Sequence, residues 1–295
     1  MPAPQTELRN FKPQHDFLVA IDSDGCVFDS MEIKHKECFI PNIIKHWQLQ
    51  PISKYARAAA EFVNLYSKWR GTNRFPALIK TFDLLEDWPE VQKRSATIPR
   101  ARPLRDWIQR ESKLGNPTLK AEVERSGDAV LTRALQWSEA VNATIADLVH
   151  GLPPFPFVPK CLEKFSQKAD ILVCSATPME ALRREWQEHD ITQFTRVIAG
   201  QEMGSKKEHI QLAAEGKYAK ERVLMIGDAP GDLKAARANG AWFFPVNPGA
   251  EQDSWERLFS EGADIFLNGE YDTEYEGKLI AEFEKRLPEI PPWQK

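Results

Sequence analysis

The sequence predicts an α/β fold, in which a doubly wound parallel sheet carries an inserted all-helical domain. Three observations support this prediction. Short apolar runs that end in polar residues occur at 17–21, 171–174 and 223–226, as expected for buried parallel strands. Residues 31–150 have helical periodicity without a parallel-strand pattern. Alternating strand and helix patterns return after the Pro-rich segment 151–159 and continue to residue 268.

The first predicted strand is the apolar run Phe17–Ile21, which leads directly into Asp22-Ser23-Asp24-Gly25. Ligands of open α/β sheets bind beyond the carboxyl ends of the strands, so this segment is a candidate binding site. Asp22 and Asp24 are two residues apart, and in an extended chain their side chains point to the same side. Gly25 would then let the chain turn away sharply.

We predict that residues 31–150 form the inserted helical domain, and that residues 1–30 and 151–295 form the discontinuous α/β core. Helix-like stretches cover 33–47, 55–69, 76–85 and 129–149. The segment 151–159 contains four prolines, which exclude a helix and indicate a stiff connector back to the core. The Pro-rich tail from residue 288 is predicted to be irregular.

Three later segments are predicted to join the first at one edge of the sheet. Ser175 follows the run 171–174, and Gly227-Asp228-Ala229-Pro230-Gly231-Asp232 follows the run 223–226. Lys206-Lys207 lies in a capping box, Ser205 to Glu208, that starts a helix, and Thr177 to Glu180 is predicted to form a second capping box. This edge would collect three carboxylates, a hydroxyl and an ammonium, which can hold Mg²⁺ and a phosphoryl group.

Composition and charge exclude several classes of protein. The net charge of −4, from 39 basic and 43 acidic residues, gives no global field for nucleic acid or an anionic membrane. No apolar run approaches the ~20 residues needed to cross a bilayer. The four cysteines lack metal-type spacing, and the first 16 residues lack the apolar segment of a signal peptide. We therefore expect a cytoplasmic protein without nucleic-acid or membrane partners, and leave its oligomeric state open.

In order and spacing, these segments resemble the four motifs of the haloacid dehalogenase superfamily of phosphatases and phosphotransferases. Asp22, Asp24, Gly25 and Asp29 match its Asp-x-Asp-Gly-x-x-x-Asp motif, and residues 227–232 match Gly-Asp-x-x-x-Asp. Cys26 departs from the usual Thr, and the lysine segment lacks the common Lys-Pro pattern. The resemblance implies a Rossmann-like core with a helical cap between the first two motifs, as in phosphoglycolate phosphatase-like members.

The resemblance also implies a role for each carboxylate. Asp22 would be the nucleophile that forms an aspartyl-phosphate, and Asp24 the general acid and base. Mg²⁺ would be held by the side chains of Asp22 and Asp228 and by the backbone carbonyl of Asp24. Asp232 would orient the metal's waters or the lysine rather than bind the metal directly.

The remaining motif residues would bind the phosphoryl group. Ser175 would hydrogen-bond a phosphoryl oxygen, and one of Lys206 and Lys207 would neutralise the nucleophile and the phosphate. We favour Lys206 because it directly follows the cap residue Ser205, but the sequence leaves both lysines open. Cys26 is interpreted as a small, partly buried substitute for Thr rather than as a reactive thiol.

Substrate choice is expected from the helical domain, because the core recognises mainly Mg²⁺ and a phosphoryl group. Arg70, Asn73 and Arg74 lie in a Gly- and Pro-bounded segment between two predicted helices, and could bind an anionic or polyhydroxylated leaving group. The alternative is that this segment is an ordinary surface connection between helices.

The function implied by the resemblance is a Mg²⁺-dependent phosphatase that hydrolyses the phosphate monoester of a small metabolite. One alternative is a sugar-phosphate phosphomutase, which would use the same core. Another is a non-catalytic binding protein with this fold. Dehalogenation is disfavoured, because it needs no second Asp in the first motif and Asp24 is present.

Overall fold

The central feature of the structure is a five-stranded, all-parallel sheet. The structure, a computed structural model, describes residues 5–294. The strands are β1 Phe17–Ile21, β2 Ala169–Cys174, β3 Val197–Ala199, β4 Val223–Gly227 and β5 Trp242–Pro245. Their order across the sheet is β3-β2-β1-β4-β5, and the register aligns Val19 with Ile171 on one side and with Leu224 on the other. This sheet confirms the predicted fold class.

Strands β1, β2 and β4 are apolar, except for the buried Asp170 in β2, because both faces of the sheet are covered. Side chains alternate between the faces. Val19, Ile171 and Leu224 belong to one buried cluster, and Leu18, Leu172 and Val223 belong to the other. Helices contribute to both clusters, which makes the sheet doubly wound. The core helices are Thr6–Asn10, Val158–Ser166, Met179–Glu188, Lys206–Ala214, Pro230–Asn239, Glu251–Arg257, Ala263–Leu267 and Thr273–Arg286.

Two of the core helices have clear boundary signals. Ser205 accepts a hydrogen bond from the backbone N–H of Glu208, whose carboxylate accepts from the backbone N–H of Ser205. The predicted capping box is therefore confirmed there. The helix Pro230–Asn239 ends at Gly240, whose φ of 67° is in the left-handed region that favours glycine.

The predicted capping box at Thr177 is wrong. The helix begins at Met179, and no side chain of its N-cap residue makes a capping hydrogen bond. The backbone N–H of Met179 donates instead to the carboxylate of Glu202, at 3.0 Å. The Thr177 hydroxyl is already engaged, because it donates to Asp24.

The described residues form two compact units. One contains residues 5–30 and 151–287, and the other contains residues 31–150 and 288–294. The second unit is helical and has its own aromatic core, which includes the buried Trp47, Trp107 and Trp137. The first of its helices begins at Ser30, the last residue of the first unit, and a π-helical turn follows at Lys34–Phe39. The helices are Ser30–Ile33, Ile40–His46, Ser53–Leu65, Arg74–Glu86, Pro89–Gln92, Arg102–Arg110, Asn116–Ser126 and Ala129–Leu148.

The C-terminal segment, which the sequence-based division assigns to the core, clusters with the other unit. Residues 288–294 group with the helical unit. The Trp293 ring stacks on Trp88, with ring centroids 4.1 Å apart and ring planes 4° apart, and it also contacts Phe62. Aromatic burial accounts for this placement. Within residues 5–294, no helix is both long and apolar enough to span a bilayer.

Candidate active site

The site begins where β1 ends. The backbone N–H of Asp22 donates to the carbonyl of Ile226 at 3.0 Å, which extends the pairing with β4 by one residue. Asp22 is buried, and its Oδ1 accepts from the backbone N–H of Ser23 at 2.8 Å. Gly25 then reverses the chain with a φ of 75°, and its N–H donates to the carbonyl of Phe28. The tight turn explains why glycine is needed at this position.

Two further carboxylates come from the end of β4 and the helix that follows it. Asp228 and Asp232 are both buried. A Cβ atom on Gly227 would lie 2.4 Å from the Cβ of Asp232, so only glycine allows this close approach. Asp232 Oδ2 accepts from the backbone N–H of Ala229 at 3.1 Å. The Gly-Asp-x-x-x-Asp motif therefore brings both carboxylates to the end of the central strands.

Lys206 joins the two halves of the site. It is the first residue of the helix Lys206–Ala214, and its Nζ lies 2.6 Å from Asp22 Oδ2 and 2.6 Å from Asp232 Oδ1. Lys207 is exposed, and none of the described hydrogen bonds or ion pairs comes from its side chain. Of the two lysines that the sequence left open, the structure brings Lys206 to the carboxylates.

The carboxylates of Asp22, Asp228 and Asp232 form a cluster whose ligand atoms lie within 4.8 Å of one another. Burial raises the pKa of the Asp22 carboxyl well above its usual range, and the charges of Asp232 and Asp228 add to the rise, although Lys206 opposes it. Burial would lower the pKa of Lys206, but the three carboxylates outweigh it and raise that pKa, so the ammonium is retained. One ammonium does not balance three carboxylates.

These residues fit a hard divalent cation. Oxygen ligands of this kind are what Mg²⁺ prefers, and its charge would offset the repulsion among the carboxylates. The two oxygens of Asp232 already accept from Lys206 and from the backbone of Ala229. Its contacts therefore suit an orienting role better than direct coordination.

Asp24 and Ser175 are connected through Thr177. The Thr177 hydroxyl donates to Asp24 Oδ2 at 2.7 Å, and the Ser30 hydroxyl donates to Asp24 Oδ1. The backbone N–H of Thr177 donates to Ser175 Oγ at 3.1 Å, and Ser175 is buried. Sequence reasoning missed this contact of Thr177 because its hydroxyl was assigned to a helix cap. The Ser-x-Thr spacing directly after β2 is the signal that points to it.

The three residues proposed for substrate recognition lie in the helical unit and make hydrogen bonds within it. Arg70 is buried, and its Nη1 donates to the carbonyl of Leu65 at 2.9 Å. Asn73 caps the helix Arg74–Glu86 by accepting from the backbone N–H of Phe75. Arg74 Nη1 donates to the Ser138 hydroxyl at 2.9 Å and to Asn142 Oδ1 at 2.7 Å.

Cys26 lies inside the core. It is fully buried, and burial raises the pKa of its thiol well above the usual range. Its Sγ lies 3.8 Å from the carbonyl oxygen of Ile226. A thiol that is both buried and protonated is unsuited to nucleophilic or redox chemistry.

A match to a family model agrees with the later sequence motifs. Residues 108–246 match the family model described as haloacid dehalogenase-like hydrolase, a region that includes Ser175, Lys206, Asp228 and Asp232. The chain is similar to a haloacid dehalogenase-like hydrolase from Streptococcus pneumoniae, at 14% identity and a TM-score of 0.48 over 81% of this chain and 90% of that one. It is also similar to a haloacid dehalogenase-like hydrolase from Xanthomonas campestris, at 11% identity and a TM-score of 0.47 over 88% and 96%. No curated protein sequence matches the chain.

Proposed function

We propose that this chain is a hydrolase of the haloacid dehalogenase-like family, and that it is a Mg²⁺-dependent phosphatase that acts on the phosphate monoester of a small metabolite. The observation that carries the proposal is the pairing of Lys206 with both Asp22 and Asp232 in a cluster of three buried carboxylates. Such a site combines a carboxylate nucleophile with the positive charge that a phosphoryl group requires.

Asp22 is the proposed nucleophile. One of its carboxylate oxygens would attack phosphorus as the P–O bond to the leaving group breaks, which gives an aspartyl-phosphate. Lys206, 2.6 Å from Asp22, would stabilise the negative charge of the transferring group. Asp22 and Asp228, with the backbone carbonyl of Asp24, would hold Mg²⁺, which when bound would supply the remaining positive charge.

Asp24 is the proposed acid and base. In its protonated form it would give its proton to the leaving oxygen, and as a carboxylate it would then take a proton from the water that attacks the aspartyl-phosphate. The Thr177 and Ser30 hydroxyls hold both of its oxygens. Each hydroxyl can donate to the carboxylate or accept from the carboxylic acid by rotating, so the pair suits both protonation states.

The substitution Asp24→Asn tests this assignment. It removes the proton-transfer group but keeps the shape of the side chain and the backbone carbonyl, so we expect kcat for alkyl phosphates to fall at least about 100-fold. The loss should be smaller for p-nitrophenyl phosphate, whose leaving group needs little protonation. Rapid-quench measurement should also detect more aspartyl-phosphate. An unchanged rate with alkyl phosphates would exclude Asp24 as the acid and base.

A phosphate-release screen tests the function itself. The protein would be incubated with Mg²⁺ and a panel of phosphorylated metabolites, with the Asp22→Asn variant as the matched control. Free phosphate produced by the wild type alone supports the phosphatase. Conversion of a sugar phosphate into its isomer without phosphate release would instead indicate a phosphomutase, and no turnover of any compound would favour a binding protein.

We further propose that Arg70, Asn73 and Arg74 recognise the substrate, with Arg74 as the main anion-binding group. Among the described residues, the Arg74 guanidinium contacts only neutral partners, namely Ser138, Asn142 and the Phe39 ring. Burial lowers its pKa to about 10. A cation removed from water without a carboxylate partner is well suited to bind an anionic group of a ligand.

The substitution Arg74→Gln should reduce kcat/KM for the substrate found by the screen by about 10–100-fold, the loss expected for one charge-assisted contact. Activity on p-nitrophenyl phosphate should change far less, because that compound offers the arginine little to bind. Arg105→Gln, which breaks an ion pair with Asp83 in the same unit, is the matched control. Equal losses on both substrates would indicate a structural role for Arg74.

A further inference from the structure

The loop that carries the two motif aspartates, residues 22–28, is buried but has little regular secondary structure. Its fold depends on Ser23, whose carbonyl accepts from the backbone N–H groups of Cys26, Val27 and Phe28 at 2.9–3.3 Å. Ser23 lies between Asp22 and Asp24, and its own N–H donates to Asp22 Oδ1. A displacement of Ser23 would therefore move both carboxylates.

Two buried tryptophans donate hydrogen bonds into this loop from different helices. Trp186, on the helix Met179–Glu188, donates its indole N–H to Ser23 Oγ at 3.0 Å. Trp255, on the helix Glu251–Arg257, donates its indole N–H to the carbonyl of Cys26 at 2.7 Å. Both rings are fully buried in the cluster that covers one face of the sheet.

The contacts around the two indoles make the arrangement specific. Trp186 also packs edge-on against Phe28, with ring centroids 6.1 Å apart and an angle of 84° between the planes. The Ser23 hydroxyl in turn donates to Glu185 Oε2, at 3.4 Å. Cys26 is fully buried, so without Trp255 its carbonyl would lose the only partner it has among the described hydrogen bonds. An unsatisfied buried carbonyl is costly, and the loop would shift to relieve it.

We infer that Trp186 and Trp255 are positioning residues that hold the loop 22–28, and through it Asp22 and Asp24, in the geometry needed for phosphoryl transfer. This inference rests on the proposed function, because it assigns the tryptophans an effect on that reaction. It goes beyond the motif residues, since neither indole belongs to the carboxylate cluster. A displacement of about 1 Å at a reacting group can reduce a rate by about 100-fold.

The test uses Trp186→Phe and Trp255→Phe, which keep a ring in the core and remove the indole N–H. The matched control is Trp242→Phe, which removes an indole hydrogen bond to the carbonyl of Glu221 in the same unit. We expect kcat to fall about 10–100-fold in both variants with KM little changed, and to remain near the wild-type value in the control. A purely stabilising role would give the three variants similar kinetics.

Hydrogen–deuterium exchange measures the loop directly and needs no turnover. Peptides that contain residues 22–28 should exchange about tenfold faster in Trp186→Phe and Trp255→Phe than in wild type, and their exchange rate should be unchanged in Trp242→Phe.

If Trp255→Phe fails to fold, Trp186→Phe and Ser23→Ala still test the inference. Trp186→Phe and Ser23→Ala remove the same hydrogen bond. The kcat of the variant that carries both changes should therefore be no lower than that of the slower single variant.

The outcomes separate the inference from the proposed function. No phosphate release by the wild type would overturn the proposed function, while faster loop exchange in the two variants would still support the positioning role. If kcat and loop exchange in Trp186→Phe and Trp255→Phe match those of Trp242→Phe, the inference is overturned.

Discussion

The substitution Asp22→Asn is expected to reduce phosphate release by at least about 10³-fold, because an amide cannot form the aspartyl-phosphate. Folding should not suffer. Burial and the neighbouring carboxylates already raise the pKa of Asp22, so loss of its charge relieves repulsion, and Lys206 keeps its contact with Asp232. We therefore expect a melting temperature that is equal to or above that of the wild type in the absence of metal.

Phosphate release, thermal denaturation and adduct formation check this result together. A beryllofluoride adduct should form on Asp22 in the wild type and be absent from the variant. The control is Asp16→Asn, which changes an exposed aspartate that pairs with Arg222 in the same unit. Turnover near the wild-type rate in purified, folded Asp22→Asn would exclude Asp22 as the nucleophile.

Removal of divalent metal is expected to abolish activity, and added Mg²⁺ to restore it. The physical reason is the charge of the cluster, in which three buried carboxylates share one ammonium. Without a cation, a negatively charged phosphate would meet a negatively charged site. Full phosphate release in excess EDTA would contradict the metal requirement.

The substitution Asp228→Ala locates the metal within the cluster. We expect the affinity for Mg²⁺, measured by calorimetry, to fall at least about tenfold. The melting temperature without metal should not fall in parallel, because the change removes a negative charge from the cluster. Asp253→Ala, which changes an exposed aspartate outside the site, is the matched control. Equal Mg²⁺ affinities in the two variants would exclude Asp228 as a ligand.

The parts of the fold that the sequence predicted are those with strong local signals. Strands β1, β2 and β4 have apolar runs, at 17–21, 171–174 and 223–226, because they are buried on both faces, and polar residues follow where each strand ends. Strand β3 has only three residues, Val197–Ala199, and β5 ends in Pro245, so neither produces a distinct pattern. The capping box at Ser205 was a strong local signal, and Lys206 begins the helix that it predicts.

The candidate site was predictable to the level of residue type and position along the chain. Motif spacing selected Asp22, Asp24, Asp228 and Asp232, but it did not choose between Lys206 and Lys207. That choice depends on the direction of each side chain from the first turn of the helix. The contacts of Trp186 and Trp255 join segments that are far apart in sequence, and no local pattern reports such contacts.

The placement of residues 288–294 has a consequence for how the protein is made. Strand β1 is translated before the helical insertion, yet its partner β2 begins only at Ala169, after the whole insertion has been translated. The helical unit can collapse early through local contacts, but Trp293 completes its aromatic cluster only when residues 288–294 have been added. The helical unit therefore completes its contacts only after residues 288–294 have been translated. The sheet forms only after the long insertion between β1 and β2 has brought these two strands together.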